Sequence, residues 1–181
     1  MKSAILILIT AVISAATTAG AAGAPSLPQA KTNEILLKVG GIVCQFCAFG
    51  VAKNLQGLEF MDRTKLKNGV FVDIEKQHVA LALVPGKAPD FAGIHKSIDK
   101  GGYQFISAHL TLHGKLEQRG GGWFLRDESH PAEYALGGKA DASWVPGARV
   151  RAQVEVMAAA IATLKTGQII PATAYKLEEV K

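Results

Sequence analysis

Cys44 and Cys47 are the two residues of this chain whose type and spacing could do chemistry together. They are the only cysteines among 181 residues, and they are three positions apart. Side chains three apart share one face of a helix, so both sulfurs can reach the same atom. The free N–H groups at a helix N-terminus also favour thiolate over thiol. Two thiolates suit a soft ion of low coordination number such as Cu(I), whereas a closed zinc site needs about four ligands.

The neighbouring segments determine how the two cysteines would be presented. Residues 35–39 place Ile, Leu and Val at every second position, which predicts a β-strand. Val51 and Leu55 follow Cys47 by four and eight positions, which predicts one face of a helix. A strand therefore leads into a helix here, with Cys44 in the connecting loop and Cys47 in the first helical turn.

The segment 34–108 predicts six elements in the order β, α, β, β, α, β. Apolar residues alternate in the strand segments, and helical spacing follows Asp90, which can cap a helix N-terminus. This order is typical of the split β-α-β, ferredoxin-like arrangement, in which two helices cover one face of a four-stranded sheet. The predicted strands are 34–39, 70–74, 79–83 and one from 103, and the predicted helices are 47–55 and 91–98.

Several residues around the cysteines match one known pattern. A glycine precedes the cysteine pair, a valine and a leucine follow it at helical spacing, and a Gly-Tyr pair closes the second predicted helix. With these residues, the segment 34–108 resembles the heavy-metal-associated domain family, which includes copper chaperones and the periplasmic mercuric-ion-binding protein. The matching residues are Gly41, Cys44, Cys47, Val51, Leu55, Gly102 and Tyr103.

The resemblance implies a ferredoxin-like domain that holds a soft metal ion between the two cysteines. It also implies that Tyr103 lies near the metal-binding loop. The chain departs from the family pattern at Ile42, where the family has methionine, and at Val43, where it has threonine or aspartate. The connection 56–69 is also longer than is usual in the family.

Residues 109–181 have a different pattern, in which glycines separate short alternating runs. The alternation is clearest over 150–156 and 172–178, and about five strands fit the whole segment. We therefore expect a small all-β barrel here, with an OB-like barrel as one candidate. The predicted fold class is α+β, with a ferredoxin-like βαββαβ domain at 34–108 followed by a barrel domain at 109–181.

The N-terminus is typical of a secretory signal. Lys2 precedes an apolar run at 4–16, and the small residues that follow fit a cleavage site. We predict a signal peptide over 1–21 and a linker over 22–33, so that the mature protein is periplasmic or secreted. An uncleaved membrane anchor is the alternative, although the run is short for a span of about 20 residues. We expect no stable membrane span in the mature protein.

Composition argues against several classes of function. The net charge is +5, but the basic residues are scattered and no RNA-binding signature is present, so we expect no nucleic-acid partner. No Ser/His/Asp grouping or phosphate loop can be recognised, so no catalytic residue is assigned and no enzyme is expected. His109 and His113 are four apart, which in a strand is too far for easy chelation of one ion.

Together these patterns predict an exported protein that binds and transfers a soft metal ion, Cu(I) or Hg(II), through Cys44 and Cys47. An exposed two-sulfur site leaves room for a partner thiolate, so we expect a metal-donor or metal-acceptor protein as partner. Two alternatives remain open. One is a periplasmic thiol-disulfide oxidoreductase, since a cysteine pair at a helix start is also typical of those enzymes. The other is an adaptor that acts through its C-terminal barrel.

Overall fold

The computed structural model describes residues 29–138, 140, 144–162, 164 and 168–180. The predicted signal peptide, 1–21, lies outside these residues, and so does most of the predicted linker. Within the described ranges, no helix combines the length and the apolar composition that crossing a membrane requires.

Eight strands and three helices form the described part of the chain. The first six elements follow the predicted order, and strands dominate the remainder. The strands are β1 (Glu34–Gly40), β2 (Val70–Asp73), β3 (His78–Ala82), β4 (Gln104–Arg119), β5 (Gly122–Asp127), β6 (Glu133–Gly137), β7 (Arg149–Met157) and β8 (Ile170–Glu179). The helices are α1 (Gln45–Leu55), α2 (Phe91–Asp99) and α3 (Ala158–Ile161).

Local sequence explains the first strand and the second helix. In β1 the side chains of Ile35, Leu37 and Val39 are buried while their neighbours are partly exposed, as the alternation predicts. The helix α2 begins after Asp90, whose carboxylate accepts a hydrogen bond from the Gly93 N–H at 2.9 Å. The predicted strand and the predicted helix cap are both confirmed.

The central element is β4, which is 16 residues long and continues well past residue 108. One edge of β4 pairs with β1 over 104–110 and then with β5 over 114–119. Its other edge pairs with β7 over 107–115. The strand therefore belongs both to the part of the sheet that carries the cysteine loop and to the barrel.

All eight strands form one sheet, in the order β2-β3-β1-β4-β5-β6-β8-β7. An additional pairing between β4 and β7 closes the last five strands into a barrel. Neighbouring strands are antiparallel except for β6 and β8, which are parallel. At the other end of the order, β2 is an edge strand of the described sheet.

The predicted fold class, α+β with a ferredoxin-like βαββαβ domain followed by a barrel domain, is wrong. The chain is mostly β, and its architecture is a closed five-stranded barrel with additional strands. The prediction places a domain boundary near residue 108, between the fourth strand and the first barrel strand, and leaves open that one runs straight into the other. In the structure Ser107, His109 and Thr111 continue the same strand, and β7 covers the edge of β4 that a separate sheet would leave free.

One hydrophobic core runs from the helices into the barrel. Ile35 of β1 pairs with Leu110 of β4, which pairs in turn with Val154 of β7, and all three side chains are buried. Apolar burial contributes about 25 cal/mol per Å², so this shared core stabilises the junction of the two parts, together with the pairing of β1 with β4. The cysteine loop is therefore attached to the same rigid sheet that forms the barrel.

Two buried histidines lie in or beside this sheet. His109 on β4 is 3% exposed and His130, between β5 and β6, is 6% exposed. The Nδ1 atom of each has no hydrogen-bond partner among the described residues. Glu155 lies 3.6 Å from Nε2 of His109, and Asp127 lies 3.9 Å from Nε2 of His130. Burial nevertheless lowers the pKa of both histidines below 6.5, because desolvation outweighs the attraction of these carboxylates.

Lowering the pH from 7.5 to 5 is expected to reduce the free energy of unfolding. Below about pH 6.5 the unfolded chain binds protons at these histidines, whereas the folded chain resists protonation. Their contribution to stability is therefore complete above that pH and is lost below it. Each histidine can remove up to about 1.4 kcal/mol per pH unit. Urea unfolding at several pH values measures this slope.

Replacing one of the two histidines separates its contribution to the pH dependence of stability from the contributions of the other titrating groups. His109 faces Ser107 on its own strand, Glu155 on β7 and Tyr175 on β8, so His109→Gln keeps a polar group among them. This variant should lose part of the slope that the wild-type protein shows between pH 7.5 and 5. A wild-type stability that stays constant between pH 7.5 and 5 would contradict the prediction.

Candidate functional site

The loop that carries the cysteines turns sharply between β1 and α1. Gly41 has a φ of 92°, in the left-handed region where a residue with a side chain would be strained. Ile42 follows with a fully buried side chain, which anchors the loop in the core. The chain leaves this buried anchor and reaches Cys44 at the surface.

Cys44 is the N-cap residue of α1. Its backbone is extended, with φ −151° and ψ 166°, and its Sγ accepts a hydrogen bond from the Cys47 N–H at 3.1 Å. The Ala48 N–H donates to the Cys44 carbonyl oxygen at 3.0 Å. The predicted placement, Cys44 before the helix and Cys47 in its first turn, is confirmed. Val51 and Leu55 are buried, so the predicted helix face is confirmed as well.

The sulfurs of Cys44 and Cys47 form a disulfide in this structure. The two Cα atoms are 5.1 Å apart, and both residues are partly exposed. The chain has no third cysteine, so neither sulfur has another disulfide partner within it. Reduction produces two thiols at a helix start, where free N–H groups favour the thiolate form. The pair can therefore act either as an oxidised bridge or as a set of two sulfur ligands.

Gln77, in the turn between β2 and β3, holds the cysteine loop from one side. Its Oε1 accepts a hydrogen bond from the Ile42 N–H at 3.0 Å, and its Nε2 donates to the Ile42 carbonyl oxygen. The same Nε2 donates to the Ile74 carbonyl oxygen at 2.8 Å. Sequence reasoning treats Gln77 only as a turn residue, because no local signal marks a contact between residues 35 positions apart.

Tyr103, immediately before β4, holds the loop from the other side. Its hydroxyl donates to the Cys47 carbonyl oxygen at 3.1 Å, so the residue lies beside the loop as the resemblance implies. Two glycines make room for the ring. A Cβ at Gly50 would lie 3.2 Å from the hydroxyl, and one at Gly101 would lie 2.6 Å from ring carbons. Gly50 is unfavourable within a helix, and the approach of Tyr103 explains its presence.

Within the described ranges, the cysteine pair has no third metal-binding side chain beside it. Among the residues that the structure describes, no three His, Cys, Asp or Glu side chains lie close enough to hold an ion together. His109 and His113 both lie on β4, where His109 is buried beside Glu155 and the His113 N–H bonds the Asp127 carboxylate. An ion held by Cys44 and Cys47 would therefore keep further coordination positions open to a partner.

A cavity of about 310 Å³ lies away from the cysteines, between the start of α2 and the barrel. Phe91, Arg126 and Ile170 are among the residues that line it. Neither cysteine contributes to this cavity. The cysteine pair is instead a surface site, which suits contact with another macromolecule better than enclosure of a small substrate.

Comparison with known proteins assigns no function to this chain. No protein-family model, curated protein or solved structure matches the sequence or the fold. The resemblance to the heavy-metal-associated family stays a prediction that depends on the residues of the cysteine loop and the Gly102-Tyr103 pair. The geometry of Cys44, Cys47 and the residues that hold them must support any assignment.

Proposed function

We propose that this protein is an exported carrier of a soft metal ion, Cu(I) or Hg(II), which it exchanges with a partner protein. Cys44 and Cys47 hold the ion. The observation that carries the proposal is the position of both sulfurs at the exposed N-terminus of α1, close enough to bond to one another. Soft thiolates select soft ions. An ion with two sulfur ligands is coordinatively open, so a partner thiolate can bind before either cysteine leaves.

The rigidity of the loop supports this role. The hydrogen bonds from Gln77 to Ile42 and from Tyr103 to Cys47 involve side chains and backbone but neither sulfur. The loop can therefore keep its shape when the disulfide is reduced and an ion takes the place of the S–S bond. A ligand set that is already positioned loses little conformational entropy on binding.

The oxidation state of the pair controls binding in this proposal. Sulfurs joined in a disulfide are not thiolates, so the oxidised protein has no soft ligand to offer. Exported proteins meet an oxidising environment, in which a cysteine pair this close can form the observed bridge. Reduction of the Cys44–Cys47 bridge then precedes loading with an ion.

Anaerobic titration with Cu(I) and with Hg(II) tests the proposal. We expect the reduced protein to bind one equivalent of either ion through sulfur and the oxidised protein to bind none, although both have the same sequence. An ultraviolet band from the sulfur–metal bond should appear with the first equivalent only. Reduced protein that binds neither ion, or oxidised protein that binds as well as reduced protein, would contradict the proposal.

A thiol-disulfide oxidoreductase is the second candidate, and the observed disulfide favours it. The N-cap position of Cys44 supports this function too, because a helix N-terminus stabilises a leaving thiolate. Catalytic reduction of insulin disulfides, together with failure to bind Cu(I) or Hg(II), would favour this candidate over the carrier. Metal binding without insulin reduction would favour the carrier.

A further inference from the structure

Three large apolar side chains flank the cysteine pair along the chain and are mostly exposed to solvent. Val43 is 80% exposed, Phe46 is 89% exposed and Phe49 is 67% exposed. We call these three residues the apolar collar. Other exposed large apolar residues of the described chain, such as Phe71 on β2, do not flank the cysteines. Contiguous exposed apolar side chains mark an interaction surface, because covering them with another molecule is favourable.

The collar is held in place before anything binds to it. Val43 follows Ile42, whose backbone is bonded on both sides by the Gln77 side chain. Phe46 and Phe49 are three apart in the first turns of α1, so they lie on one helix face beside Cys47. Because this backbone is already fixed, a partner that docks here has only the three side chains to order, which lowers the entropic cost of docking.

The charge around the collar identifies what it attracts. No aspartate or glutamate occurs between Ile35 and Leu58, whereas this segment contains two lysines. Lys53 is exposed and lies four positions after Phe49, on the same side of α1. The adjoining turn between β2 and β3 carries Glu75 and Lys76, which have opposite charges, and Nζ of Lys76 lies 3.6 Å from the carboxylate of Asp73 at the end of β2. Lys53 therefore gives the collar a positive border along α1, which favours an acidic partner.

We propose that the collar is the docking surface for a protein that presents an apolar recess edged with carboxylates and an exchangeable thiol. This inference rests on the proposed function, in which the cysteine pair exchanges with a partner protein. Because Val43, Phe46 and Phe49 flank both cysteines, contact with the collar brings the partner sulfur to the Cys44–Cys47 pair. A second copy of this chain fits less well, since two positive borders would face each other.

Exchange with three reduced synthetic peptides tests the proposal without requiring a metal. Each peptide contains the same Cys-Ser-Ser-Cys centre. The flanks combine Leu with Glu in the first peptide, Ser with Glu in the second, and Leu with Lys in the third. In the measured reaction the two peptide thiols become a disulfide as the Cys44–Cys47 bridge becomes two thiols. At low salt, the Leu–Glu peptide should react about tenfold faster with the oxidised protein than either other peptide.

Surface variants assign this preference to the collar. Phe46→Ser with Phe49→Ser should remove the advantage of the Leu–Glu peptide over the Ser–Glu peptide. Phe71→Ser, which removes an exposed phenylalanine of β2, should retain that advantage. Lys53→Glu should reduce the preference for the Leu–Glu peptide over the Leu–Lys peptide, as should 0.5 M salt. Equal wild-type rates with all three peptides, or an unchanged preference in the double phenylalanine variant, would overturn the proposal.

Two other occupants of the collar have distinct signatures. If the wild-type protein self-associates in sedimentation and shows no preference among the peptides, and if Phe46→Ser with Phe49→Ser abolishes the association, the occupant of the collar is a second copy of the chain. If the protein sediments with vesicles of phosphatidylglycerol and phosphatidylcholine and again shows no preference among the peptides, the occupant of the collar is a lipid surface. Failure of the carrier function is a separate result, because the metal titration of the reduced protein does not depend on the collar.

Discussion

Replacing Cys44 and Cys47 together by serine is expected to lower the affinity for Cu(I) by at least about 1,000-fold, which corresponds to about 4 kcal/mol. A serine hydroxyl is a hard ligand that stays protonated near neutral pH, so it cannot replace a thiolate for a soft ion. The structure offers no third ligand beside the pair among the described residues that could hold the ion instead. Competition with a chelator of known Cu(I) affinity measures the change.

The loop should keep its shape in this variant, so the loss can be assigned to the sulfurs. Serine is a favourable N-cap residue, and at position 44 it can accept the hydrogen bond that the Cys44 Sγ accepts now. The contacts of Gln77 and Tyr103 with the loop do not involve sulfur. Losing a disulfide that closes so short a loop removes at most about 2 kcal/mol of stability.

Ala48→Ser is the matched control for the cysteine variants. It adds a hydroxyl one position beyond Cys47 on the same helix and retains both sulfurs. Its affinity for Cu(I) should stay within about twofold of wild type. A substitution at a partly exposed position usually changes the free energy of unfolding by less than about 0.5 kcal/mol, so the loop should keep its structure. A double serine variant that keeps its affinity within about tenfold of wild type would place the ion elsewhere.

Gly114→Ala is expected to destabilise the protein by about 3 kcal/mol. Gly114 lies on β4 between two strands, paired with Asp127 of β5 on one side and with Val150 of β7 on the other. An added Cβ would overlap the Arg126 carbonyl oxygen and lie 3.1 Å from the carbonyl carbon. These are backbone atoms of a paired strand, so they cannot move aside as a flexible side chain can.

Thermal and urea unfolding measure this effect, with Gly137→Ala as control. Gly137 also lies in a barrel strand, but apart from its chain neighbours the nearest described atom to its added Cβ would be the Ala172 carbonyl oxygen, at 3.7 Å. The control should change stability by less than about 0.5 kcal/mol. The melting temperature of Gly114→Ala should fall by roughly 6–12 °C. Equal stability of the two variants would mean that β4 and β5 are not held as closely as the structure shows.

The cysteine helix illustrates which features short-range sequence can predict. The spacing of Val51 and Leu55 after Cys47 identifies the buried face of α1, and the structure confirms both the face and the start of the helix. Helix periodicity and capping depend on residues within a few positions, so they can be recognised without knowing the fold. The residues that hold the loop, Gln77 and Tyr103, come from 35 and 56 positions away.

The wrong fold class has its cause in β4. Apolar residues alternate at Leu110 and Leu112 in the sequence, which predicts β structure, and β structure is observed, with every side chain from Ser107 to Leu112 buried. Alternation identifies the two faces of a strand, however, and contains no information about its two edges. The structure places β1 and then β5 along one edge and β7 along the other, which joins the cysteine-bearing strands to the barrel in one sheet.

Exposure of the apolar collar is likewise a property of the folded chain. In the sequence, Phe46 and Phe49 could equally be core residues of an amphipathic helix, because their spacing fits a buried face. Packing decides otherwise: Val51 and Leu55 occupy the core, and the two phenylalanines remain at the surface. Only one face of a helix can contact the sheet, and the choice between two apolar faces depends on the fit of the whole core.

From its residues alone, the chain specifies a cysteine pair at the mouth of a helix, the strand before it and the cap of the second helix, since each depends on close neighbours in sequence. Tertiary structure decides which strands share β4, which distant side chains hold the loop, and which apolar residues stay exposed around the sulfurs. These outcomes depend on strand edges and on competition for one core, which act between residues far apart along the chain.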